Sequence, residues 1–176
     1  ALLRSTDAAA QESAAVALGK LAMDVGAGIR PRIVDVGAVP ALVALLCSGT
    51  EDVKACAAFA LGWLSPEAPT RALIVAAGAL APLVAMLRSG TDVGKRWAVG
   101  TLAWLTRDTP NLTLIADAGA LPVLVTFLSP SQACPTGRST CCTLRRLAMN
   151  ERLRELALEH GTAGVLAVAA DAPGCE

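Results

Sequence analysis

Few residues in this 176-residue chain have types and spacing suited to chemistry. His160 is the only histidine, so any His-based triad or general base would have to be built on it. It precedes Gly161, where a helix is expected to end, and a His there is an ordinary favourable neighbour of the helix C-terminus. Gly90 to Arg96, GTDVGKR, looks at first like a phosphate-binding loop. It has three residues rather than four between its glycines, Arg96 stands where Ser or Thr should hold Mg²⁺, and it follows a helix rather than a strand. Cys134, Cys141 and Cys142 could suggest a redox switch or a soft-metal site. Adjacent cysteines on a helix point about 100° apart, and none of the six cysteines forms a CxxC pair. Cys47, Cys56, Cys134, Cys141, Cys142 and Cys175 are expected to be free thiols of a reducing compartment, cytoplasmic or nuclear. No catalytic residue, metal site, cofactor or small-molecule substrate is inferred.

The aromatic residues offer a different kind of chemistry, recognition. Trp63 and Trp104 lie 41 residues apart, and Trp97 precedes Trp104 by seven, two turns along one helix face. The same interval organises the chain: Gly37 to Leu46, GAVPALVALL, returns at Gly78 to Leu87 as GALAPLVAML and at Gly119 to Leu128 as GALPVLVTFL. A period of this length, with Gly, a Pro and an apolar run, predicts stacked helical units that bury a shared core.

Each unit has three parts. Residues 29–36 predict a short helix with Ile33 and Val34 inward, Gly37 a left-handed cap, and Pro40 the first turn of a second helix burying Leu42, Val43, Leu45 and Leu46. Ser48, Gly49 and Thr50 turn the chain, and Thr50 caps a third helix with Val53, Ala57, Ala60, Leu61 and Leu64 inward. Pro66 ends it. Ile74, Gly78, Thr91, Leu102 and Leu105 repeat the pattern, and Ile115, Gly119, Pro122 and Leu124 start it again. Ser129 to Gly137, SPSQACPTG, interrupts the next turn. Before the first full unit, a helix from about Thr6 to Asp24 is expected to bury Ala14, Ala17, Leu18 and Leu21. The expected units are 1–28 (third helix of a truncated repeat), 29–67, 68–108, 109–149 (degenerate) and 150–176 (truncated). Ala1 to Ser5, ALLRS, matches Ala44 to Ser48, ALLCS, so the chain reads as a piece of a longer array.

Composition sets further bounds. Hydrophobic residues make up 54% and charged ones 17%, which excludes disorder. Fifteen basic against fifteen acidic residues supply no basic stripe for a nucleic-acid backbone. The apolar stretch from Ala72 to Leu87 is too short for a membrane span and holds Gly78 and Pro82. It reads as two short helices and their turn.

A short helix, Gly-Ala-hydrophobic-Pro, an apolar second helix, a Ser-Gly-Thr turn and an Ala-rich third helix together resemble the armadillo repeat over nearly the whole chain. The resemblance implies an all-α fold, a right-handed α-solenoid of stacked three-helix repeats whose third helices line a concave groove. It also implies a non-enzymatic scaffold that binds an extended peptide or partner protein. Alternatives are a substrate-recruiting or regulatory region of a larger enzyme such as a ubiquitin ligase, and a fragment of a nuclear-transport receptor. In the family, third helices often carry Trp and, four residues later, Asn. The Trp-type positions here are Val16, Phe59, Gly100 and Cys142, and the Asn-type positions are Lys20, Trp63, Trp104 and Arg146. The missing Asn ladder speaks against nuclear-signal recognition. Instead Trp63, Trp97, Trp104 and Phe59 are expected to form an apolar strip for the partner, flanked by Lys20 and Arg146. Lys54, Lys95 and Arg96 in the first turns of third helices suit an acidic segment, while Asp24, Glu67 and Asp108, four residues after the Asn-type positions, suit a basic one.

Overall fold

The computed structural model describes residues 2–23, 28–126, 143, 146 and 147. Asp24, the Ser129–Gly137 joint, Cys134, Cys141, Cys142, Cys175, His160 and the 150–176 unit lie outside the described residues. Among the described residues all regular structure is helical. After a 3₁₀ turn at Leu2–Arg4 come α1 (Ala8–Met23), α2 (Ile29–Asp35), α3 (Ala38–Ser48), α4 (Glu51–Leu64), α5 (Ala68–Ala76), α6 (Leu80–Ser89), α7 (Asp92–Leu105), α8 (Thr109–Asp117) and α9 (Ala120–Thr126).

The boundaries follow from local chemistry. Gly37, Gly78 and Gly119 adopt φ of 75°, 82° and 75°, the left-handed region that disfavours other residues. There the short first helix turns into the second, with α2 and α3 bent by 71° and α5 and α6 by 79°. Thr50 and Thr91 cap the third helices, their Oγ1 atoms accepting from Val53 N at 3.4 Å and Gly94 N at 3.1 Å. Proline within the first two positions opens α5 and α8, where its missing N–H has no helical acceptor to lose. No single helix among the described residues is long and apolar enough to cross a membrane.

The core lies between second and third helices and repeats with the sequence period. Leu42, Leu46, Leu61 and Leu64 are fully buried, as are Leu83, Leu87, Leu102 and Leu105 one unit later. Each such side chain stabilises the fold by about 1.5–3 kcal/mol. Ala57, Ala58 and Ala60 are also fully enclosed, so alanine lets α4 lie close against both neighbouring third helices. The dominant packing runs α1 on α4 and α4 on α7, a continuous layer of third helices.

The α1 helix departs from expectation. Its buried residues are Ala15, Gly19 and Ala22, whereas Leu21 is 49% exposed. Ala15, Gly19 and Ala22 turn toward α4. The expected set, Ala14, Ala17, Leu18 and Leu21, corresponds instead to Ala57, Ala60, Leu61 and Leu64, which α3 helps to cover in the next unit. Among the described residues the Leu2–Arg4 turn and α2 also pack on α1. An open cleft of about 650 Å³ remains there, lined by Leu3, Ala14, Leu18, Val36 and Ala41 among others.

Candidate binding face on the third helices

The third-helix layer carries the residues that the spacing singled out. Close contacts between the helices mark its register. Thr101 Oγ1 donates to Ala58 O at 2.9 Å and shares that proton with Trp97 O, also at 2.9 Å. Gly19 of α1 lies against Phe59 and Ala60 of α4, close enough that a side chain there would collide with the Phe59 ring. In this register Ala9, Ser13, Val16 and Lys20 run along α1. Asp52, Cys56, Phe59 and Trp63 follow on α4, and Val93, Trp97, Gly100 and Trp104 on α7.

The aromatics are partly buried and packed as well as presented. Phe59 and Trp97 meet edge to face, their centroids 4.6 Å apart and planes at 66°, a geometry the ring quadrupoles favour. Phe59 thus bridges three helices, seated on Gly19 and contacted by Trp97. Trp63 packs against the core, and its Nε1 is buried with no hydrogen-bond partner. Trp104 carries the Arg107 guanidinium 4.8 Å from its ring centroid, a cation–π pair at the end of α7.

The charged candidates divide by what they touch. Lys20 is exposed. Arg146 Nη1 donates to Ala103 O at 2.9 Å and reaches Thr106 Oγ1 at 3.5 Å, so its guanidinium helps satisfy the C-terminal end of α7. Lys54 pairs with Glu51 at 2.9 Å, which offsets the unfavourable position of a cation in a first helical turn. Lys95 is half-buried and Arg96 exposed.

Asp108 does not face an open cation site. Arg71 holds it in a fork, with Nε to Oδ2 and Nη2 to Oδ1 both at 2.7 Å. The same guanidinium donates through Nη1 to Ser65 O at 3.1 Å and Pro66 O at 2.7 Å. Arg71 therefore closes the C-terminus of α4 and ties α5 to the start of α8 one unit on. The Asp108 carboxyl is held below its ordinary range, first by the Arg71 hydrogen bonds and further by the charges of Arg71 and Arg107 against an opposing cost of burial. Glu67 occupies the matching position one unit earlier, while Arg30, matching Arg71, donates to Ala22 O at 2.7 Å.

The nominated chemical motifs resolve into structure. Gly90 has extended backbone and leads into the Thr91 cap, a turn between helices. Cys47 and Cys56 are free. Burial pushes the Cys56 thiol pKa up, and the Glu12 and Asp52 carboxylates raise it further, which disfavours a reactive thiolate. Among the described residues no three His, Cys, Asp or Glu side chains gather as a metal site would require.

Stacked three-helix units, left-handed glycines before each second helix and capped third helices define an armadillo-like repeat fold. Solved structures agree. A designed armadillo repeat protein in complex with the peptide (KR)4 superposes with a TM-score of 0.82 at 24% identity, over 98% of this chain and 73% of that one. A computationally designed armadillo repeat protein for modular peptide recognition gives 0.83 at 22% identity, over 99% and 74%. An engineered protein gives 0.86 at 29% identity, over 99% of this chain and 43% of that one. No protein-family model and no curated protein matches the sequence.

Proposed function

We propose that the chain is a non-catalytic interaction module whose third-helix face binds an extended peptide or an extended segment of a partner protein. The observation that carries this reading is the aromatic band on α4 and α7. Phe59, Trp63, Trp97 and Trp104 stand on one face in register, and none is fully enclosed. Rigid helices hold these rings, which reduces the ordering cost of binding. The resemblance to a designed armadillo protein solved with a peptide supports the class of ligand. Lys20 at the start of the Trp63–Trp104 row and Arg107 over the Trp104 ring supply charge beside it, and Arg146 steadies the C-terminal end of α7. The free thiols of Cys47 and Cys56 fit work in a reducing compartment, the cytoplasm or nucleus.

The test is a peptide-array screen of the native protein beside a Trp63→Ala, Trp104→Ala double variant. Losing a hot-spot aromatic typically costs about 2 kcal/mol or more, so binding should fall by at least about 30-fold. Unchanged binding in a folded double variant would remove the aromatic face from the account.

A further inference from the structure

Four glycines lie within the described third helices α1, α4 and α7, and three stand against neighbours. A Cβ on Gly19 would meet the Phe59 ring, one on Gly62 would lie 3.1 Å from Thr101 Oγ1, and one on Gly94 would lie 3.3 Å from Met86 Sδ. Gly100 is the exception, because among the described residues no neighbouring side chain lies within 4 Å of its Cβ position. It sits in the middle of α7, where glycine weakens a helix, and no described neighbour requires its small size.

Its surroundings suggest what that space admits. Trp97 stands three residues before Gly100 and Trp104 four after, the two spacings that share a helix face. Phe59 holds the matching position on α4 and touches Trp97. Gly100 is thus a gap in an otherwise aromatic band. One turn further along stand Lys20, Trp63 and Trp104; Lys20 is exposed and Arg107 lies over Trp104, and neither cation is in an ion pair among the described residues. Of the acidic groups around the band, Asp108 beside Arg107 is taken up by Arg71, and Glu12 and Asp52 act on Cys56 at the opposite edge.

We propose that Gly100 forms a specificity notch, which admits one large apolar side chain of an extended peptide whose flanking residues are acidic. The proposal rests on the reading that this face binds a peptide, and adds which side chain it selects and where. The apolar side chain exchanges water for the faces of Trp97 and Trp104. The flanking carboxylates meet Lys20 and Arg107, where opposite charge favours encounter and orientation.

Three synthetic peptides of equal length test this by fluorescence anisotropy: one with a single Leu between Asp and Glu residues, its Leu→Ala counterpart, and the basic octapeptide (KR)4. The Leu peptide should bind at least about tenfold more tightly than either of the others, the scale expected for burying one large apolar side chain. Gly100→Trp fills the notch from the protein side and should erase the Leu-over-Ala preference. Gly100→Ala and the exposed-face control Ala85→Trp should retain it, and Lys20→Glu with Arg107→Glu should abolish the preference over (KR)4. Circular dichroism and the unfolding midpoint verify that each variant is folded. A missing Leu-over-Ala preference, its survival in Gly100→Trp, or tighter binding of (KR)4 overturns the notch. If peptides still bind in those cases and Trp63→Ala with Trp104→Ala weakens them, the binding face stands without it; if no peptide binds the native protein, both readings fall.

Discussion

Replacing Arg71 with Ala should cost more stability than any single core methylene, although Arg71 belongs to no hydrophobic cluster. The side chain is 8% exposed and its Asp108 partner 28%. Four hydrogen bonds disappear with it, two to the carboxylate and two to the carbonyls that end α4. Bonds involving a charged group contribute about 1.5–3 kcal/mol each in net terms, but these share one side chain and the carboxylate can recover water. A total of about 3 kcal/mol is expected, toward the low end of what breaking a buried pair costs. Asp108→Asn removes the charge and keeps both carbonyl bonds, so about 1–2 kcal/mol is expected. The sign with pH follows from the lowered carboxyl pKa. The stabilisation is present above the unfolded-state value of about 3.9 and is lost as pH falls through the folded value. Urea unfolding of the native protein, both single variants and the double variant, at pH 7 and again below pH 3, measures all of this. A coupling energy indistinguishable from zero at pH 7, or a gap between native and Asp108→Asn that widens in acid, would refute the reasoning.

Two glycines should respond to alanine in opposite directions. Gly78→Ala meets no atom but is held at φ 82°, so it should destabilise by about 1–2 kcal/mol, whereas Gly100→Ala in a helix should stabilise by about 0.5–1 kcal/mol; thermal unfolding of the two variants checks the pair. Thr91→Ala removes the acceptor for Gly94 N and should cost about 1 kcal/mol in the same assay. Trp63→Phe removes a buried donor without an acceptor, a group whose enclosure costs about 1–3 kcal/mol. That relief should offset much of the lost ring area, leaving the denaturation midpoint close to native while Trp63→Ala lowers it clearly.

The repeat was legible in the sequence because its signals are local. Glycine at one turn, threonine at another, and leucines three and four apart on each helix are read from a few neighbouring residues, and Val53, Ala57, Ala60, Leu61 and Leu64 are all fully buried as their spacing implies. What escaped depends on pairs between units. Nothing near Arg71 announces Asp108, 37 residues away, and Asp108 alone looked free to receive a cation. A comparison of Arg71 with Arg30 at the 41-residue interval could have pointed to a helix-end role, since both donate to carbonyls at the end of the preceding third helix. The α1 face was misjudged for a related reason: apolar spacing marks a helical stripe but not which neighbour covers it. Similarly, the aromatic residues were legible as a register, while the seating of Phe59 on Gly19 and the Arg107 cation over Trp104 required coordinates. Gly100 carried a signal in its type alone, a helix-interior glycine where the family's pattern places Trp.

The central claim, that the third-helix face receives an extended peptide, is tested most directly by hydrogen–deuterium exchange with and without a peptide selected from a random display library against the native protein. The account predicts slowed exchange concentrated in α4 and α7, around Phe59 to Trp63 and Trp97 to Trp104, with α3 and α6 unchanged. Protection confined to α3 and α6, with the third helices unaffected by a saturating peptide, would contradict it.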